Sequence, residues 1–258
     1  MGCSPSKPSR RDAVELQPRH QRRQVTISSP TGGPVLVPPT YRDQSGAPIK
    51  HTPYELDHDT IQTALTDMSA FLEERGVRVE LVTVGGAVNT LYLRSRLTTH
   101  DVDFFLRSAT SSRYNIVHEA ARFANRRKEG HLGVEWLNNA TQLFLPIQLQ
   151  RQLYDAALEQ GTLVFESTSL RVYAAPWSYA LCGKLNRLCD VDPRPYDLPD
   201  ASVYLHEYLR TSDRQSVGAR EIREWCKEFN KKMTDKVLEE LDEAYSQSYG
   251  HRVIDWEM

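Results

Sequence analysis

Cysteine is scarce in this chain, with four residues in 258, and they form neither a CxxC pair nor a Cys/His cluster. A disulfide-stapled scaffold and a zinc site are therefore not indicated. Cys182 and Cys189 fall seven apart on an expected helix, on one face, as buried thiols. No apolar run is long enough to span a bilayer or to serve as a secretory signal. No internal repeat is visible. A large charge of either sign is also missing: the net charge of −2 excludes a generally basic protein. What is present is enough apolar residue, 40%, to build a real core in one domain with extensions or in two small ones.

The charge is unevenly spread. Residues 1–50 hold eight Lys/Arg against three Asp/Glu, leaving 24 against 31 for the rest. The tail is thus the part suited to an anionic surface, and the folded body carries no strong nucleic-acid signal. Gly2 followed by Ser6 fits an N-myristoylation pattern, and Cys3 beside it is placed for palmitoylation. One acyl chain binds membranes only marginally, so Cys3 and the basic residues from Lys7 to Arg23 would supply the second signal. The expected location is the cytosolic face of a membrane. Residues 8–53, rich in Pro, Ser, Gly, Gln and Arg, read as a disordered tether that buries too little surface to offset ordering.

The informative stretch is ELVTVGGAVNTLYLRSRLTTHDVDFFL, residues 80–106. Its apolar, β-branched opening suits a buried strand that stops at Gly85 and Gly86. Apolar residues at helical spacing follow, so the glycines stand at a helix start, where free amides and the dipole favour phosphate. In the next expected strand, Asp101 and Asp103 project from one face, two like charges that a divalent cation would compensate. An ordinary βαβ unit, with one aspartate capping and the other solvated, is the alternative reading.

The order strand, Gly-Gly turn, helix and Asp-x-Asp strand, with Arg96 and Thr99 leading into it, resembles the nucleotidyltransferase fold of the DNA polymerase β superfamily. The likeness is nearest to the minimal nucleotidyltransferases and the abortive-infection toxin group, and it spans residues 57–210. It implies a small mixed sheet flanked by helices, an α/β (α+β) domain over residues 54–210, with residues 211–258 as a helical extension. It also implies Mg2+ on Asp101 and Asp103, an NTP seated at Gly85 and Gly86, and phosphate contacts from Arg96, Lys184 and Arg194. A third carboxylate on a strand beside Asp-x-Asp is part of the pattern, and Glu166 is its positional counterpart. Glu166 reads equally as a solvent-facing strand end, Lys184 as a packed helix lysine, and Asp197 as a helix cap.

The remaining elements follow from periodicity and punctuation. Helices are expected over residues 59–75, 111–128, 147–160, 176–188, 217–229 and 233–249, with another opened by Asp197, and strands over 77–84, 162–166 and 170–173. Residues 133–146 read as a loop with Trp136 and Phe144 turned into the core. The run Arg126-Arg127-Lys128 suits a helix C-terminus, and His100 stands next to Asp101. Nothing in the last two helices proposes chemistry. Three functions remain open: Mg2+-dependent transfer of a nucleotidyl group from an NTP to a hydroxyl, a nucleotide-binding or adaptor module without turnover, and a scaffold that uses neither glycines nor carboxylates. The number of carboxylates converging near the Gly-Gly turn separates them: three for the enzyme, two for the binder, none for the scaffold.

Overall fold

The computed structural model describes residues 26–28, 34–36, 54–107 and 111–257. Gly2 and Cys3 lie outside the described residues. Within the N-terminal segment, where the composition proposes no structure, β1 (Thr26–Ser28) and β2 (Pro34–Leu36) pair as an antiparallel hairpin. The body begins with β3 (Leu56–Asp57), α1 (His58–Glu74), β4 (Val79–Val84) and α2 (Gly86–Val88), which passes directly into a π-helical turn, Asn89–Leu93. Then come β5 (Thr98–Thr99), β6 (Val102–Phe105), α3 (Ser111–Arg127), β7 (Leu137–Asn138), α4 (Ala140–Leu143) and α5 (Ile147–Gln160). The second half holds β8 (Leu163–Glu166), β9 (Leu170–Ala174), α6 (Trp177–Leu188) and α7 (Asp197–Thr211). It ends with β10 (Val217–Gly218), α8 (Ala219–Glu228), α9 (Asp235–Tyr249) and β11 (Ile254–Asp255).

Five strands form one mixed sheet in the order β7-β6-β4-β9-β8, as expected of an α/β protein. β4 runs antiparallel to β6 and parallel to β9, while β7 runs parallel to β6 on its outer edge. Period-two alternation assigns the two faces. Leu81, Val102, Phe104 and Val172 pack with α1 and α3 on one side; Val82, Phe105 and Ala174 pack with α5, α6 and the C-terminal helices on the other. Asp101 and Asp103 share the parity of Phe105 and therefore point to the α6 side.

Local signals explain the framing helices. Asp57 caps α1 by accepting the Thr60 N–H (2.8 Å), Ile61, Leu65, Met68 and Leu72 form its buried stripe, and Gly76 in the left-handed region turns the chain after it. The cationic end of α3 has a structural explanation, since Arg127 pairs with Asp67 of α1 at 2.8 Å. Two readings of residues 133–146 need correcting. The segment contains β7 and α4, and Phe144 is 84% exposed while Trp136 is buried. The helical stretch that the glycines open ends at Leu93, where Arg94 adopts φ 55°. Among the described residues no helix is long and apolar enough to cross a membrane.

Candidate functional site

At the ends of β4 and β6, facing α6, the chain encloses a cavity of about 690 Å3. Ligand cavities are typically about 300–1,000 Å3. Gly85, Gly86, Asp101, Asp103, Lys184 and Arg194 all line it, as do Arg96, Thr99 and His100. Most residues selected from the sequence thus meet in one place.

The carboxylates form its negative pole. Val84 pairs with Asp103 across the antiparallel ladder, which sets the pair immediately beside the Gly-Gly turn. Burial and the neighbouring Asp101 push the Asp103 carboxyl up to about 7 from 3.8. Burial also raises Asp101, opposed by hydrogen bonding from Asn138 and by the charges of His100, Arg187 and Arg194. On the other flank of β6, Asn138 stands in register with Asp103 and donates from Nδ2 to Asp101 Oδ2 at 3.2 Å. Its own Oδ1 accepts the Ala140 N–H at 3.0 Å. The strand beside Asp-x-Asp therefore presents an amide where a carboxylate was sought.

Glu166 is not brought to this site, and that expectation is corrected. It pairs with Arg171 (3.0 Å) on the edge strand β8, which β9 and β4 separate from β6. Through Arg171 it is level with Glu80, four residues before Val84. Three strand spacings across and four residues along put it about 14 Å to the side and about 13 Å down the sheet from Asp103.

Each glycine has a structural reason to be there. Gly85 adopts φ 74°, outside the range most side chains accept. Gly86 lies against Thr99 so closely that a Cβ would overlap its hydroxyl. Gly86→Ala is therefore expected to destabilise the fold by roughly 1–3 kcal/mol, with most of the loss restored by adding Thr99→Ala. Equal chemical-denaturation midpoints for Gly86→Ala and wild type would refute this packing role. The helix that follows is only three residues long before the π turn, so its dipole at the glycines is short.

Lys184 and Arg96 border the cavity already neutralised. The Lys184 ammonium, almost fully buried, sits 2.8 Å from Asp197 Oδ1 and 2.7 Å from Asp200 Oδ2. Arg96 grips Asp200 with Nε at 3.2 Å and with Nη2, and its guanidinium stacks 3.7 Å from the Tyr196 ring centroid. Asn89 Nδ2 adds a 2.9 Å bond to Asp200, and the Tyr204 hydroxyl joins Asn89 to the Gly85 carbonyl (3.2 Å). Two cations and two carboxylates thus lock α6, α7 and the Gly-Gly turn together. Their expected role as free phosphate ligands gives way to this positioning role.

No family model, curated protein or solved structure matches the chain.

Among the described residues, the cations on this cavity without a carboxylate partner are Arg187 and Arg194 on the α6–α7 side and Lys231 beyond α8. Sequence reading named only Arg194 among them. Arg187 had a usable signal, standing three residues after Lys184 on the same helical face. Asn138 and Lys231 had none. His100 lines the rim, with Nδ1 3.9 Å from Glu55.

Proposed function

We propose that the chain is a nucleotidyltransferase-like protein that binds a Mg2+–nucleotide and does not transfer it. The observation that carries this reading is Asn138 in register with Asp103, with Glu166 at the far end of the sheet. Two carboxylates converge beside the Gly-Gly turn. Among the described residues no group of three His, Cys, Asp or Glu side chains is arranged to hold a metal.

Asp101 and Asp103 nevertheless fit one Mg2+. That ion takes one or two protein carboxylates and completes its shell with phosphate oxygens and water, and the Asp103 carboxyl, raised by burial and then by the neighbouring Asp101, is a charge that such an ion would compensate. Bound there, Mg2+ would screen the aspartates and the nucleotide phosphates from each other. Transfer would further require a group to take the acceptor hydroxyl's proton, and where the resemblance implies a third carboxylate beside the aspartates, Asn138 stands in register with Asp103.

The test is direct. Calorimetry of the full chain with Mg2+ and each of the four NTPs should show binding of at least one. Label on the α-phosphate should reach neither protein, RNA nor small hydroxyl acceptors, and Glu166→Gln should leave affinity within about twofold, since a side chain that distant makes no contact. Mg2+-dependent transfer of label would overturn the binder in favour of an enzyme; failure to bind any NTP would overturn both.

A further inference from the structure

The C-terminal segment, in which the sequence proposes no chemistry, reaches the cavity through one residue. Helix α8 ends in a left-handed turn at Asn230 (φ 53°), closed by Lys231 N–H to the Cys226 carbonyl (2.7 Å) and Asn230 N–H to the Lys227 carbonyl (3.2 Å). These are the two bonds of a Schellman cap, which fixes the direction of the residues that follow. The turn is also tied to α6, because Asn186 Oδ1 accepts the Lys232 N–H at 2.8 Å. Phe229 packs edge-on against Tyr179, with ring centroids 5.4 Å apart. Lys231 is thereby held on the cavity wall, its ammonium 5.8 Å from the centroid of the Tyr179 ring, and it has no ion-pair or hydrogen-bond partner for its side chain among the described residues.

Arg187 and Arg194 line the same cavity. Both are near enough for their charges to act on Asp101. Arg194 donates to the Tyr196 hydroxyl (3.0 Å), and neither guanidinium has a carboxylate partner among the described residues. The contrast with Lys184 and Arg96 on the same cavity is the informative point: two cations are consumed by Asp197 and Asp200, and three are not. Three positive groups share the lining with three carboxylates, Asp101, Asp103 and the exposed Glu55 at the rim, and one divalent ion on the aspartates would turn that balance into a positive surplus. A wall of that sign is complementary to a chain of phosphates carrying several negative charges, and much less demanding of a single phosphate.

Resting on the reading that this cavity takes a nucleotide, we infer that Arg187, Arg194 and Lys231 form its phosphate-binding wall. The ligand is a nucleoside triphosphate in preference to a monophosphate, and the C-terminal segment is part of the site. The experiment is calorimetric titration of the full chain, in Mg2+, with ATP, GTP, CTP and UTP and with their monophosphates. Wild type should bind at least one triphosphate markedly more tightly than its monophosphate. Lys231→Gln should weaken that triphosphate roughly tenfold or more, as expected of losing a charge-assisted bond, with little change for the monophosphate, and Lys231→Arg should recover most of the loss. The ligand-free melting temperature of Lys231→Gln should equal that of wild type, which separates a ligand role from a folding one. Wild type that binds no nucleotide would overturn this inference together with the reading beneath it. Triphosphate affinity unchanged in both Lys231→Gln and Arg187→Gln, or equal affinity for mono- and triphosphate, would overturn the inference alone and leave the nucleotide binder standing.

Discussion

Asp103→Asn is expected to make the ligand-free protein more stable at pH 8 while removing its Mg2+-dependent response to nucleotide. The carboxyl titrates at about 7 in the folded chain against an ordinary 3.8. Below pH 3.8 both folded and unfolded chains hold the proton, and the group does not affect stability. Between the two values the unfolded chain ionises first, so stability falls as the pH rises; above 7 the folded chain carries the full cost of the charge. That cost is on the order of 4 kcal/mol at most, from about 1.4 kcal/mol per pKa unit. Asparagine abolishes it, so the variant should gain several degrees in melting temperature at pH 8 and almost nothing at pH 4. A ligand at a hundred times its Kd adds about 2.7 kcal/mol of stability, and this increment should disappear with the carboxylate. Melting curves at both pH values, with and without Mg2+ and NTP, read both effects. A variant less stable than wild type at pH 8 would mean that Asp103 is a structural partner, and a nucleotide response that persists would place the metal elsewhere.

What the sequence made legible was the part governed by strong local rules. The alternation through Val102-Asp103-Phe104-Phe105 and the β-branched run ending at Gly85 specify two buried strands and their facing, and the carboxylates follow from parity alone. Asn138 was hidden because β7 has two residues, too few for any period to register, in a stretch that otherwise reads as a loop. Glu166 was misplaced for a different reason. Its strand was recognisable, but the sheet order, which puts β9 and β4 between β8 and β6, depends on contacts distant in sequence. Lys184 read either as a phosphate contact or as a packed helix lysine, because a cation on a helix carries no mark of what folds over it; the docking of α7 brings Asp197 and Asp200 onto it. Lys231 followed a recognisable helix end at Phe229 and Asn230, yet its place on the cavity depends on the bond between its neighbour Lys232 and Asn186, 46 residues apart.

The buried charges should give the largest loss of stability. Lys184→Met removes the one cation among the described residues that touches both Asp197 and Asp200, leaving Arg96 against two carboxylates that are nearly inaccessible to water. Breaking a buried pair in this way typically costs about 3–5 kcal/mol, because the partner remains buried and uncompensated. For a chain of this size that corresponds to a fall of roughly 10 °C in melting temperature. The alternative role, a lysine held ready for phosphate, makes the opposite forecast: the ligand-free protein would be unaffected and only nucleotide affinity would drop. A double-mutant cycle distinguishes the two. Lys184→Met with Asp197→Leu removes one charge of each sign and leaves the Arg96–Asp200 pair intact, so the double variant should recover much of the loss seen in the single one. Because Asn89 and Tyr204 link Asp200 to the carbonyl of Gly85, the single variant should also loosen the Gly-Gly turn, measurable as faster hydrogen exchange at Val88 and Asn89, whose amides bond to that carbonyl. If Lys184→Met melted with wild type, showed no coupling to Asp197 and lost only nucleotide binding, the lysine would belong to the ligand and not to the fold.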